Sequence, residues 1–279
     1  MIHLERILVG HDFDEAARSA LDEMVSVARA FDAELFLAHA IPDVQVGQPE
    51  YVAQAAEAAD LLGAVRWRLM NRGVRVSPRY LVRPGEPAEA LLLAAAEVRP
   101  DLIALGVGRR TALDRVLLGN ASDQVMRRSS GPVWLVRPGR PHMRLSSIRC
   151  ACDAHPRGDA LSSAATLARA FGADLSVLTV VPPGRTGGVR WASEALLADL
   201  APELAQEGIE VEHRVRQGEA TSLVVEAANR VRADLIVLGS SFRTSAGSLF
   251  GASIAERLLR LLPCSLLAVR APQAIPVGV

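Results

Sequence analysis

The chain has 279 residues, half of them hydrophobic, with 31 Lys and Arg residues balanced by 31 Asp and Glu residues. A chain of this length and apolar content suits two domains, each burying its own core. The balanced charge offers no general attraction for nucleic acid or for an anionic membrane surface, so we expect neither as a partner.

Short β-like runs alternate with helical patterns through the first half. We predict strands at 5–11, 34–41, 74–82, 101–106 and 132–137, and helices at 14–31, 50–72, 86–98 and 119–129. This alternation predicts βαβ units and a parallel sheet. The runs at 7–9 and 102–105 are continuously apolar, which is typical of central strands covered by helices on both faces.

The second half repeats the first. ARAFDAEL at 28–35 returns as ARAFGADL at 168–175, and DLIALG at 101–106 returns as DLIVLG at 234–239. Strands are predicted at 147–153, 174–181, 209–216, 234–239 and 264–270, and helices at 156–171, 192–207, 219–232 and 252–262. We therefore predict an α/β protein of two tandem, doubly wound, five-stranded parallel sheets: domains 1–138 and 147–279, joined by a linker at 139–146.

Each half ends in an apolar run, Val133–Val136 and Leu266–Val269. Either run alone would leave an exposed sheet edge, and pairing them would bury both. This predicts an internal dimer with pseudo-twofold symmetry, joined through the fifth strands, with the functional loops of both halves near that interface.

The compartment is predicted from the cysteines and the N-terminus. Three cysteines cannot pair evenly, and the apolar run at 7–10 leads into His11-Asp12, too short and too acidic a context for a signal peptide. No apolar run reaches the roughly 20 residues of a membrane span, so we expect a cytoplasmic protein. Cys150, Cys152 and His155 do not have the spacing of a strong zinc site, and we expect no metal there.

Two strings of residues carry a family resemblance. The segment from Gly106 to Asn120, continuing to Pro132-Val133, resembles the fourth-strand loop and last helix of universal stress proteins, as does the segment from Gly239 to Cys264. The first strands, ending in Asp12 and Asp153, also fit. The resemblance covers nearly the whole chain and implies a tandem member of that family, with sheets of the adenine-nucleotide-binding type.

In members that bind ATP, the resemblance implies a loop of the form G-x2-G-x9-G-[S/T]. Glycines let backbone N–H groups approach phosphates, and the last Gly-Ser opens a helix whose positive end favours an anion. The resemblance also places adenine against the backbone after the second strand, and the ribose or base near the aspartate. The implied ligand-binding residues are Asp12, Ala40, Gly106, Gly108, Arg109, Gly119 and Asn120 in the first half, and Asp153, Val180, Gly239, Ser240, Ala252 and Ser253 in the second.

Both loops depart from this pattern. Arg109 takes the second glycine position of the first loop and Asn120 its hydroxyl position, while Phe242 and Ala252 take glycine positions in the second. Arg109 either obstructs the backbone or binds a phosphate through its guanidinium group, and Ala252 keeps its N–H at the helix start. Phe242 offers neither option, so the first half is the better candidate.

The resemblance, taken with these departures, implies one of two functions. The first is a stress-response regulatory or protective binding module that holds ATP or a related adenine nucleotide in one half. The alternative is a nucleotide-free scaffold or partner-binding protein in which both phosphate loops are degenerate; its protein partner is unknown, and a homodimer remains open. The chain has no P-loop, G-x-S-x-G or HExxH motif, so we do not expect an enzyme.

Overall fold

The computed structural model describes residues 3–108, 121–139, 145–153, 159–181, 198, 201–230, 232–239 and 252–269. They fall into two compact units. The first lies within 2–145 and also includes 263–267, and the second lies within 146–262 and from 268 onward.

The first unit is a parallel α/β sheet covered by helices. Its strands are β1 (Arg6–Gly10), β2 (Glu34–Ile41), β3 (Leu81–Pro84), β4 (Leu102–Gly106) and β5 (Val133–Val136), and its helices are α1 (Glu15–Phe31), α2 (Pro49–Asn71), α3 (Pro87–Val98) and α4 (Ala121–Arg128). The strand order is β3-β2-β1-β4-β5, with parallel pairing throughout. The predicted fold class is confirmed.

The edge of β5 is covered. Strand β10 (Ser265–Ala268) lies beside β5 in the sheet order, and residues 263–267 pack with the first unit, as the two apolar runs predict. A buried carboxylate links these elements: Glu23 of α1 accepts a hydrogen bond from Trp134 Nε1 at 2.7 Å and another from Ser265 Oγ at 2.9 Å. Three elements distant in sequence are thereby joined through one side chain.

The third strand differs from its prediction. Instead of one strand over 74–82, the structure has an isolated bridge between Leu35 and Val76, followed by the strand Leu81–Pro84. Between them lies Pro78, which lacks the N–H needed to continue the ladder. The prediction of a continuous strand was therefore wrong because it overlooked the proline.

The second unit repeats this architecture. It contains β6 (Ser147–Asp153), β7 (Asp174–Val181), β8 (Val211–Gln217) and β9 (Leu235–Leu238), with α5 (Asp159–Phe171), α6 (Ala220–Arg230) and α7 (Ala252–Leu261). Residues 201–206 are also helical. The order is β9-β6-β7-β8, all parallel. Without a proline, β8 pairs with β7 over seven consecutive residues.

The helix starts are capped by carboxylates in two different ways. Asp14 caps α1, its Oδ1 accepting from Ala17 N at 2.7 Å. Glu219, just before α6, accepts from Ser222 N at 2.7 Å and from Ser222 Oγ at 2.8 Å. Burial opposes ionisation of Glu219, but these hydrogen bonds outweigh it and lower its pKa to about 2. Glu86, the equivalent residue before α3, makes no side-chain cap.

None of the described helices is long and apolar enough to cross a membrane.

Candidate functional site

The candidate site lies at the carboxyl edge of the first sheet. In the order β3-β2-β1-β4-β5 the chain reverses its direction of travel between β1 and β4, and such switch points form ligand crevices in open α/β sheets. Asp12 follows β1, Ala40 lies near the end of β2, and Gly106 and Gly108 end and follow β4. The fold thus brings these four residues of the first half to one edge.

Asp12 is exposed at this edge. Its Oδ1 accepts from Asp14 N at 3.3 Å, and partial desolvation together with the Asp14 carboxyl raises the pKa of Asp12. The side chain of Asp14, not that of Asp12, caps α1. The presence of Asp12 is therefore not explained by capping.

Three rings cluster beside Asp12. The Phe13 ring centroid lies 4.8 Å from that of His11 and 4.8 Å from that of His39. The Nδ1 of His39 lies 2.7 Å from the His11 carbonyl oxygen, so it carries the proton and donates. Phe13 has a φ of 66°, a left-handed conformation that is rare for a bulky residue. Sequence reasoning missed Phe13, since a lone Phe before a helix carries no distinctive signal.

His11 is held neutral in this cluster. Its Nδ1 accepts from Phe13 N at 3.1 Å, so the ring proton sits on Nε2. Burial, followed by the charge of His39, lowers the pKa of His11 to about 4. Among the described residues, no acceptor meets the buried Nε2. An unpaired buried donor of this kind is costly.

Gly106 and Gly108 differ in the space around their Cα atoms. A Cβ at Gly106 would lie 2.2 Å from the backbone carbon of Ala16 and 2.3 Å from its oxygen, so packing against α1 alone requires glycine there. Among the described residues, a Cβ at Gly108 would meet nothing within 4 Å. These residues therefore leave the backbone at Gly108 open to close approach by a ligand.

The second unit repeats the edge with different chemistry. Asp153 pairs with Val180 across β6 and β7, and Val180 is buried. Gly239 follows β9 and packs more loosely than its counterpart, since a Cβ there would lie 3.2 Å from Ala160 Cβ. The ring positions of His11 and His39 are occupied here by Cys152 and Thr179, whose Sγ and Oγ1 are 3.7 Å apart.

Part of the predicted site lies outside the described residues. Arg109, Gly119, Asn120 and Ser240 all do, as does His155, while Ala252 and Ser253 begin α7. The predicted meeting of the two functional loops falls outside them too. Within the described residues, no three His, Cys, Asp or Glu side chains are grouped closely enough to hold a metal ion.

A family model for universal stress proteins matches residues 3–137 and again 153–270. The chain belongs to the universal stress protein family. A universal stress protein of Thermus aquaticus is 33% identical over 134 residues, covering 47% of this chain and 97% of the relative. Another, of Methanocaldococcus jannaschii, is 27% identical over 142 residues, covering 48% of this chain and 82% of the relative.

These relatives match about half of the chain, whereas the solved structure of a universal stress protein from Archaeoglobus fulgidus matches nearly all of it. That structure has a TM-score of 0.75 at 19% identity and covers 96% of this chain and 97% of its own. This universal stress protein therefore carries the family domain twice in one chain, as the internal repeat predicts.

Proposed function

We propose that this universal stress protein binds an adenine nucleotide such as ATP in its first half, at the crevice between β1 and β4. The observation that carries the proposal is the convergence of Asp12, half-buried Ala40 and the open backbone of Gly108 on the sheet's switch point. Ligands of open α/β sheets bind at such a crevice.

Each residue has a chemical role in this proposal. The exposed Asp12 carboxylate accepts hydrogen bonds from ribose hydroxyls, a common role for an acidic side chain at a sheet edge. The backbone near Ala40 and the rings of Phe13 and His39 offer a surface for the base. The open backbone at Gly108 and the start of the last helix face the phosphates, with Arg109 as a direct guanidinium partner.

The first half is the stronger candidate because, in the part of the chain that the structure describes, the ring cluster occurs in this half. In the second half Cys152 and Thr179 replace His11 and His39, and Phe242 occupies a loop position where the family pattern has glycine. Asp153 keeps the second half a candidate for weaker binding.

The proposed role is that of a switch, not an enzyme. A bound nucleotide shifts the protein between states only to the extent that it binds them with different affinity. The stress-response setting comes from the family, since no residue chemistry of this chain identifies the stress. Neither a P-loop nor a nucleophile elbow occurs in the sequence, which supports binding without turnover.

The experiment begins with freshly purified protein, which is denatured and assayed for released nucleotide by mass spectrometry. ATP is then titrated calorimetrically into wild type, Asp12→Ala and the matched second-half variant Asp153→Ala. We expect one main binding event. Its affinity should fall at least about tenfold in Asp12→Ala, because one charge-assisted hydrogen bond is lost, and should change little in Asp153→Ala. Gly119→Glu, paired with Ala252→Glu, repeats the comparison at the helix starts. Equal effects in both halves would contradict the assignment to the first.

The second candidate function is a nucleotide-free scaffold. Arg109 and Phe242 favour it, because both loops have lost a glycine through which the backbone would approach phosphates. If no nucleotide is released and ATP produces no heat over a broad concentration range, the scaffold function replaces the nucleotide switch.

A further inference from the structure

A charged side chain is buried within the second sheet. Arg149, the third residue of β6, is 6% exposed. Its Nη1 donates to Ser176 Oγ at 2.7 Å, and its Nε has no hydrogen-bond partner among the described residues. Burying a guanidinium group without a directly bonded carboxylate costs free energy, and this burial lowers the pKa of Arg149. The arginine therefore requires an explanation.

Its surroundings carry excess positive charge. Arg149 lines a small cavity together with three further arginines, Arg214, Arg216 and Arg230, and two carboxylates pair with these three. Glu212 pairs with Arg214, and Glu226 is shared between Arg216 at 3.3 Å and Arg230 at 2.5 Å. Four guanidinium groups thus face two carboxylates, leaving two positive charges in excess. The charged cluster consists of Arg149, Glu212, Arg214, Arg216, Glu226 and Arg230.

The first half shows that the fold does not need this charge. Leu8 and Phe36 form the pair in β1 and β2 that Arg149 and Ser176 form in β6 and β7. Leu81 likewise stands where β8 has Arg214, since Leu81 pairs with Ala38 of β2 and Arg214 with the equivalent residue of β7. At these positions the same scaffold is apolar in one half and cationic in the other, whereas Arg83, which pairs with Glu97, stands in the first half where β8 has Arg216.

We infer that the second half holds a binding site for a doubly charged oxyanion of phosphate size at the Arg149 cluster. The planar fork of a guanidinium group matches the oxygens of such an anion. Arg149 forms the buried floor of the site, and the half-exposed side chains of Arg214, Arg216 and Arg230 form its mouth. Two excess positive charges match one dianion.

The cavities beside Arg149 indicate the side from which the anion enters. The space lined by the four arginines and Glu226 is about 20 Å³, enough for about one water molecule, so the flexible arginines at the mouth must swing outward to admit the anion. Arg149 also borders a larger groove of about 820 Å³, but the other charged residues of that groove, Asp174, Glu210 and Glu212, are acidic. The anion therefore enters on the arginine side.

This site is separate from the proposed nucleotide crevice. Arg149 precedes Asp153 by four residues in β6, roughly 13 Å along a strand at about 3.3 Å per residue. The inference thus does not depend on nucleotide binding in either half.

The test is a calorimetric titration of inorganic phosphate into the full chain at low ionic strength. The double variant Arg149→Leu/Ser176→Phe installs the residue pair of the first half, and Arg216→Gln changes only the exposed mouth. The matched control is Arg75→Leu, which removes an exposed arginine paired with Asp32 in the first half. We expect saturable one-to-one binding, weakened at least tenfold in the double variant, several-fold in Arg216→Gln and less than twofold in the control.

Three outcomes would overturn the inference. One is the absence of saturable binding to wild type. Another is unchanged affinity in Arg216→Gln together with unchanged affinity in a double variant that circular dichroism shows to be folded. The third is phosphate binding that Gly119→Glu abolishes and the double variant does not, because that pattern assigns the phosphate to the first-half loop.

Discussion

The contact between Gly106 and α1 leads to the sharpest prediction. In Gly106→Ala the new Cβ would lie 2.2 Å from the backbone carbon of Ala16 and 2.7 Å from the nitrogen of Ala17. Backbone atoms cannot rotate away as a side chain can, so α1 or β4 must shift. Overpacking usually costs about 1–3 kcal/mol, and we expect this collision to cost at least about 3 kcal/mol.

The internal repeat supplies a matched control. Among the described residues, the new Cβ in Gly239→Ala meets only the Cβ of Ala160, at 3.2 Å. A shift of a few tenths of an ångström relieves that contact, and the loss of glycine entropy in the unfolded chain contributes about 0.4–1 kcal/mol in favour of the variant. We expect Gly239→Ala to change stability by less than about 1 kcal/mol.

Thermal unfolding followed by circular dichroism measures the difference. At about 2–4 °C per kcal/mol, Gly106→Ala should lower the Tm by at least about 6 °C, and Gly239→Ala by far less. Hydrogen exchange of peptides from α1 and α5 then assigns each loss to its unit. Adding Ala16→Gly should not rescue Gly106→Ala, because the collision is with backbone. Equal losses in the two variants, or rescue by Ala16→Gly, would refute the reasoning.

Three further predictions rest on buried or capping side chains. Glu23→Leu removes the acceptor of the Trp134 indole and should lower the free energy of unfolding, measured in urea, by about 2–4 kcal/mol, since unsatisfied buried donors cost about 1–3 kcal/mol each. Glu23→Gln keeps an acceptor oxygen and should lower it by less. Acidification from pH 6.5 to 4 should destabilise wild type by up to about 3 kcal/mol through His11. The reason is that His11 of the unfolded chain takes up a proton in this range, whereas native His11, with its pKa of about 4, does not. His11→Asn should remove this component of the pH dependence, and an unchanged pH profile in the variant would contradict the prediction. The lowered pKa of Glu219 contributes stability above pH 4.5 that is lost as the pH falls towards 2. Glu219→Gln should therefore weaken the protein at pH 7 by about 1 kcal/mol or less and have a smaller effect at pH 2, where Glu219 is half protonated. Glu86→Gln, without a side-chain cap, should have little effect at either pH.

Much of the fold was predictable because its signals are local. Apolar runs of strand length, helical periodicity between them and a capping Asp14 each depend on residues near one another in sequence. The repeat then doubled every signal, and the unpaired apolar edges predicted that β5 would be covered. The third strand was mispredicted from a local signal that was present, Pro78, whose missing N–H outweighs the apolar pattern around it.

The candidate site was predictable to a lesser degree. The resemblance placed Asp12 and Gly108 among the ligand-binding residues, and the strand order of the structure brings both to one edge of the sheet. The resemblance treated Gly106 as a phosphate-loop glycine, but the structure shows that α1 already requires a glycine there. The ring cluster was not foreseen, since the contact of Phe13 with His39 joins residues that only the β1–β2 pairing brings together.

The sequence by itself determined the class of fold, its duplication and the family, because these depend on periodicity, repetition and motif. Only the tertiary structure decided which polar groups share the interior. Glu23 meets Ser265 across 242 residues of chain, and Arg149 meets its cluster across three strands and a helix. The physical reason is that the free energy of a buried charge depends on the groups that bond to it. Those groups are brought together by tertiary packing, which a local sequence pattern does not contain.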